Sequence, residues 1–142
     1  MLKLNHANAI IEHALAKAVE MGIKPVAVVV LDETGNVVSA QRQDGTAPFL
    51  FDVARGKAWS AVNLGMSSRA LEKRAAMKPA FWGALAAASQ GRFLPGTGAV
   101  LIRDEDGSIL GACGASGATS DEDEACCIFG VQQVGLVADA SE

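Results

Sequence analysis

Tyrosine is absent from this sequence of 142 residues, and aromatic side chains make up only 5 % of it. Filling a core then falls to small side chains, and abundant alanine with 15 glycines points to close packing of the elements. Basic runs are missing as well. The net charge is −4, which repels phosphate backbones and argues against non-specific nucleic-acid binding. No stretch approaches the ~20 uninterrupted apolar residues that a membrane helix needs. The β-branched apolar run, Pro25 to Leu31, has the length of a strand. The opening residues MLKLNHANAI lack the apolar run and cleavage site of a signal peptide, so a cytoplasmic protein without a membrane partner is expected. The 3 cysteines (Cys113, Cys126 and Cys127) are odd in number with two adjacent, a poor disulfide framework; reduced, buried thiols are expected. Phosphate-loop, Rossmann, zinc and Ser-His-Asp signatures are missing too, so nothing points to hydrolase, dehydrogenase or metalloenzyme chemistry.

Half of the residues are hydrophobic and a fifth are charged, the balance of one packed domain over residues 1–142. Leu4, Ala7, Ile11, Ala14, Leu15 and Ala18 recur at helical spacing, and Gly22 stands where a helix C-cap belongs. The β-branched run at 26–30, the turn residues Asp32 to Gly35 and a second strand over 36–43 form a hairpin. Helices are expected over 49–64, 67–76 and 79–90, with Pro79 separating the last two. A second hairpin spans 99–103 and 108–115. A glycine-rich loop (GASGATS) then leads into a final helix from about 120 to 137, with Ser120 as N-cap and Asp123 three residues on. Two hairpins imply an antiparallel sheet flanked by helices.

Four segments together resemble the GlcG/HbpS-like family: the alanine-rich first helix, VVVLDETGNVVSAQRQDG (28–45), ARGKAWSA (54–61) and GACGASGATSDEDEAC (111–126). Their order and spacing carry the likeness over nearly the whole chain. The resemblance implies an α/β (α+β) fold, a profilin-like sandwich whose antiparallel sheet is built from two hairpins with flanking helices. It also implies a small-molecule ligand and a homo-oligomer. Some family members bind haem, and others sit in carboxylate-catabolic pathways, so the likeness predicts fold better than chemistry.

Individual residues suggest where a ligand would bind. Arg42 and Asp44 end the second strand, where the planar Arg42 fork suits a carboxylate; a plain surface pair is the alternative. Lys57 lies beside the apolar face of its helix, placed to act as acid, base or anion anchor, or to run its stem over apolar surface. In the segment 111–120, Gly114, Ser116 and Gly117 would let backbone approach a ligand. A phosphate cradle is excluded there, because Asp121, Glu122, Asp123 and Glu124 already fill the first turn of the helix. Asp121 and Glu124 share a face with Ile128, and two neighbouring carboxylates suit acid/base work unless a cation such as Arg42 or Lys57 holds them ionised. His6 and His13, seven residues apart on one helix face, are the first iron ligands to test if haem binds. Phe81, Trp82, Trp59 and Phe93 serve a core, an interface or a pocket. Two functions stay open: a haem or tetrapyrrole binder, and a cofactor-independent enzyme in which Arg42 anchors a small organic acid while Glu124 or Lys57 moves a proton. Both require Arg42–Asp44, Lys57 and 111–124 to converge on one hollow.

Overall fold

A computed structural model describes all residues, 1–142. Helix α1 (Leu4–Met21) buries Ala7, Ile10, Ile11, Ala14 and Ala18, the expected stripe. Gly22, at φ 65°, ends it by donating its N–H to the Ala18 and Val19 carbonyls. Strands β1 (Ala27–Asp32) and β2 (Val37–Arg42) form the first hairpin. Helices α2 (Phe49–Leu64), α3 (Ser68–Met77) and α4 (Pro79–Ala88) follow, then the second hairpin of β3 (Ala99–Arg103) and β4 (Ile109–Ser116). Helix α5 (Ser120–Gln133) and a short strand β5 (Val137–Asp139) complete the chain.

The sheet is antiparallel throughout, in the order β2-β1-β4-β3-β5. The two hairpins join at its centre, where β1 pairs with β4 from Ala27–Ser116 to Asp32–Gly111. Alternation along β1 sorts its side chains between two cores. Val28 and Val30 pack with Ile10, Ile11, Cys113, Cys127 and Val131 under α1 and α5. Val29 and Leu31 pack with Ala54, Ala58 and Ala61 of α2 on the opposite face. The fold is therefore an α/β sandwich with helices on both faces of the sheet, and all three thiols are buried in it. Burial pushes the Cys126 thiol up to about 11 and raises the Cys127 thiol well above its ordinary value, so neither is a ready nucleophile.

Three local expectations are corrected. The last helix ends at Gln133 rather than 137, because Gly135 (φ 78°) turns the chain back to the sheet edge as β5, where Arg103 Nε donates to Asp139 at 2.8 Å. The cap of α5 is Thr119 with Glu122 in a reciprocal box, one residue earlier than the Ser120–Asp123 pattern. The strand expected over 108–115 runs on to Ser116 and holds Gly111 and Gly114, so the glycine-rich loop starts at Gly117 rather than Gly114. Their missing Cβ atoms make room for the protein itself: at Gly114 a Cβ would press into the Ala54 carbonyl, and at Gly117 into that of Pro25.

Helices α3 and α4 stand apart from this sandwich. Helix α3 is anchored by Ser67 and Ser68, whose hydroxyl accepts from the Gly98 and Ala99 N–H groups and donates to the Ala99 carbonyl. Helix α4 has no charged residue and no buried one.

Candidate functional site

A buried polar cluster closes the end of the sheet where β4 runs into α5. Lys57, on α2, is inside the protein, and its Nζ donates to the Ala115 carbonyl at 3.1 Å and to Asp123 Oδ2 at 3.4 Å. The other Asp123 oxygen accepts the Ala118 N–H at 3.0 Å. Burial raises the Asp123 carboxyl above its ordinary value, and the Ala118 amide and Lys57 only partly offset that. Gly98 leaves the space that the Lys57 ammonium fills.

Beside this pair, Arg69 of α3 reaches back across α5. Its Nε and Nη2 donate to both oxygens of the buried Glu124 at 3.0–3.3 Å, and Nη2 also meets the exposed Asp121. The two carboxylates raise the Arg69 guanidinium further, chiefly through these hydrogen bonds. Asp121 and Glu124 thus share one face as expected, but the cation holding them is Arg69, not Arg42 or Lys57. A bidentate fork on a carboxylate is the geometry of a fixed anion rather than of a group that passes protons.

The expected convergence is only partial. Lys57 meets the start of α5 and the end of β4, while Arg42 and Asp44 lie elsewhere. Arg42 sits on the edge strand, two strands from Ser116 in the row Arg42–Ala27–Ser116, and donates to the Thr46 carbonyl at 2.8 Å. With Asp44 it lines a separate open groove of about 600 Å³ against Leu15, Val19 and Ile23 at the end of α1. Ser116 is buried as the last residue of β4. Gly114 and Gly117 contact neighbouring backbone, so the backbone approach expected there is taken up by the protein's own packing. His6 is exposed, and half-buried His13 packs edge-on against Phe129 at 6.5 Å. Neither histidine lines a described cavity, and no three His, Cys, Asp or Glu side chains gather as a metal site.

The most ligand-like concavity lies between α3 and α4. Its volume of about 630 Å³ falls within the range of small-molecule pockets. Met77, Phe81 and Trp82 give it apolar walls, Lys73, Arg74 and Lys78 stand around them, and Glu142 closes one end. Trp82 is held edge-on by Phe81 at 5.7 Å and from inside by Phe93 at 6.0 Å. Lys73 Nζ pairs with Glu142 at 3.1 Å, both exposed, so the contact is easily exchanged for another carboxylate.

Sequence reasoning missed Asp123, Arg69 and this groove. Asp123 had a signal: it precedes the buried Cys127 by four residues, placing it on the inward stripe of α5. The basic spacing of Lys73, Arg74 and Lys78 was visible too, but not the walls that the next helix adds.

A five-stranded antiparallel sheet with helices on both faces and a separate pair of outer helices defines a small single-sheet α/β class. Within it, the family model described as "Haem degrading protein HbpS-like" matches residues 2–132, and the chain belongs to this HbpS-like family. A crystal structure of a PduOC–haem complex superposes with a TM-score of 0.85 at 21 % identity, covering 97 % of this chain and 98 % of that one; at that identity it speaks for the fold alone. A double mutant of Streptomyces reticuli HbpS gives 0.82 at 29 % identity, covering 94 % and 87 %. Protein ORFY of Klebsiella pneumoniae gives 0.81 at 25 %, covering 92 % and 88 %. A search of curated proteins finds no match. No helix is long and apolar enough to cross a membrane.

Proposed function

We propose that the protein binds a small amphipathic anion of the haem or tetrapyrrole type, and that it does so in the groove between α3 and α4. One observation carries this reading: an aromatic and aliphatic wall bordered by three cations, in a hollow of about 630 Å³. A flat macrocycle would lie against Phe81 and Trp82, and its acidic side chains would meet Lys73, Arg74 and Lys78. The family description supports the ligand class. The residues present fit such a group. Met77, the one soft sulfur among the lining side chains, would be the residue to hold the iron of such a group. His6 and His13 stand outside the groove and take no part.

Titration of the protein with haem tests this. A saturable absorption change should appear together with quenching of Trp82 emission, isolated in a Trp59→Phe background. Arg74→Ala/Lys78→Ala should weaken binding at least tenfold, and His6→Ala or His13→Ala should leave it unchanged. Equal affinity in the Arg74/Lys78 variant would overturn the placement.

The buried Lys57–Asp123 pair favours a second reading, acid/base catalysis on a small organic acid. That reading requires turnover without haem that is lost on Lys57→Met or Asp123→Asn in variants that still fold.

A further inference from the structure

We infer that a second, smaller pocket on the outer face of α2 binds a free α-amino acid with a small apolar side chain. The inference goes beyond the proposed function and does not depend on where haem binds.

The pocket forms where the loop between α4 and β3 lies against α2. Hydrogen bonds pin that loop. Ser60 Oγ accepts the Leu94 N–H at 2.8 Å and donates to the Gly56 carbonyl at 2.8 Å, and Ser89 Oγ accepts the Phe93 N–H at 2.8 Å. Gly56 lets the segment close in, since a Cβ there would stand 2.9 Å from Leu94 Cβ. Before these contacts the chain turns through Gln90, the single non-glycine residue at positive φ (58°). Backbone persists in that region where its surroundings fix it, and such places gather at binding sites. The resulting hollow measures about 170 Å³, room for about six water-sized groups. That is too small for a macrocycle and right for a molecule of amino-acid size.

The turn also brings Arg92 over Trp59. Its Cζ lies 4.8 Å from the ring centroid, and its Nε donates to the Ser89 carbonyl at 2.9 Å. The stack and that bond fix the plane of the guanidinium and leave both Nη groups unspent. Asp52 and Arg55 line the same hollow, and neither is held in an ion pair. Val53, Trp59 and Leu94 add apolar wall.

The charge pattern names the ligand class. Two guanidinium groups suit one carboxylate, but a plain carboxylic acid would also meet the like charge of Asp52. An ammonium group on the same ligand turns that repulsion into a pair. Spacing agrees. Asp52, Arg55 and Trp59 stand at i, i+3 and i+7 on one face of α2, so Asp52 and the Trp59–Arg92 stack are about 10 Å apart along the axis. An ammonium and a carboxylate on one carbon, each with an outward hydrogen bond of about 2.9 Å, cover most of that span. The ligand's own side chain is then left for Val53 and Leu94.

Emission from Trp59 in a Trp82→Phe background, with the heat of binding measured in parallel, tests this. The probes are L-valine, isovalerate, which lacks the amine, and isobutylamine, which lacks the carboxylate. Valine should give a saturable change, and both analogues should bind at least tenfold more weakly. Arg92→Ala should weaken valine at least tenfold by calorimetry with little change in melting temperature. Arg92→Lys, which keeps the charge without the planar fork, should also weaken it. Asp52→Asn should weaken valine and tighten isovalerate, a crossover that a merely structural role would not produce.

The absence of a saturable response to valine in the folded wild type overturns the inference. So does valine binding that persists unchanged in Arg92→Ala. Isovalerate binding as tightly as valine, with Asp52→Asn altering neither, would make the hollow a site for plain carboxylates and overturn the assignment to amino acids.

Discussion

The sheet end around Lys57 and the helix pair around Trp82 handle polar and apolar groups in opposite ways. At the sheet end, charges are drawn inside and given partners: Lys57 with Asp123 and the Ala115 carbonyl, Glu124 with Arg69. At the helix pair, apolar side chains are left outside, and the cation that meets a carboxylate there is Lys73, at exposed Glu142. A filled, paired cluster leaves little room for a ligand, whereas an open apolar wall bordered by exposed cations offers one both area and charge. The proposed function therefore assigns stability to the first region and binding to the second.

The largest effect expected to sharpen that division is at Lys57. Lys57→Met strands Asp123 as an unpaired buried carboxylate, which costs about 3–5 kcal/mol. The double variant Lys57→Met/Asp123→Leu should recover most of that loss in urea unfolding and bind haem like the wild type. If either variant loses haem binding while still folded, the two regions are not separate. Next comes Gly114→Ala, whose new methyl presses on the Ala54 carbonyl. Overpacking of this kind costs about 1–3 kcal/mol, and the unfolding midpoint should fall without a change in haem affinity.

Smaller is the pH dependence set by Asp123. Its carboxyl is raised in the folded state, so the native protein holds that proton more tightly than the unfolded chain. The favourable contribution is present at low pH and is lost as pH rises from 3.8 through the raised value. Urea midpoints compared across that range should show this slope in the wild type and not in Asp123→Asn; parallel curves would refute it. The smallest stability effects fall in the groove. Trp82→Ala and Lys73→Ala should move the melting temperature little, yet Trp82→Ala should weaken haem binding at least tenfold.

Much of the sandwich was readable from the sequence because it repeats. The α1 stripe and the two hairpins follow periods of 3.6 and 2, and Gly22 and Pro79 mark real boundaries. Strand β5 escaped because Val137–Asp139 is only three residues, and its place is set by pairing with β3 rather than by its own pattern. The run Ser120–Glu124 is polar at every position, so sequence alone could not say which carboxylate turns inward. Docking of Cys127 and Val131 against the sheet selects Asp123 for the interior. Lys57 could be singled out by its place on α2, but its partner could not. Arg69 and the groove depend on where α3 sits against α5 and α4, which no local period encodes.

Haem affinity measured side by side in Arg74→Ala/Lys78→Ala and in the Lys57→Met/Asp123→Leu double variant tests the account most directly. At least a tenfold loss in the first, with wild-type affinity in the second, is the predicted result. The reverse pattern would contradict it, moving the ligand from the helix pair to the sheet end.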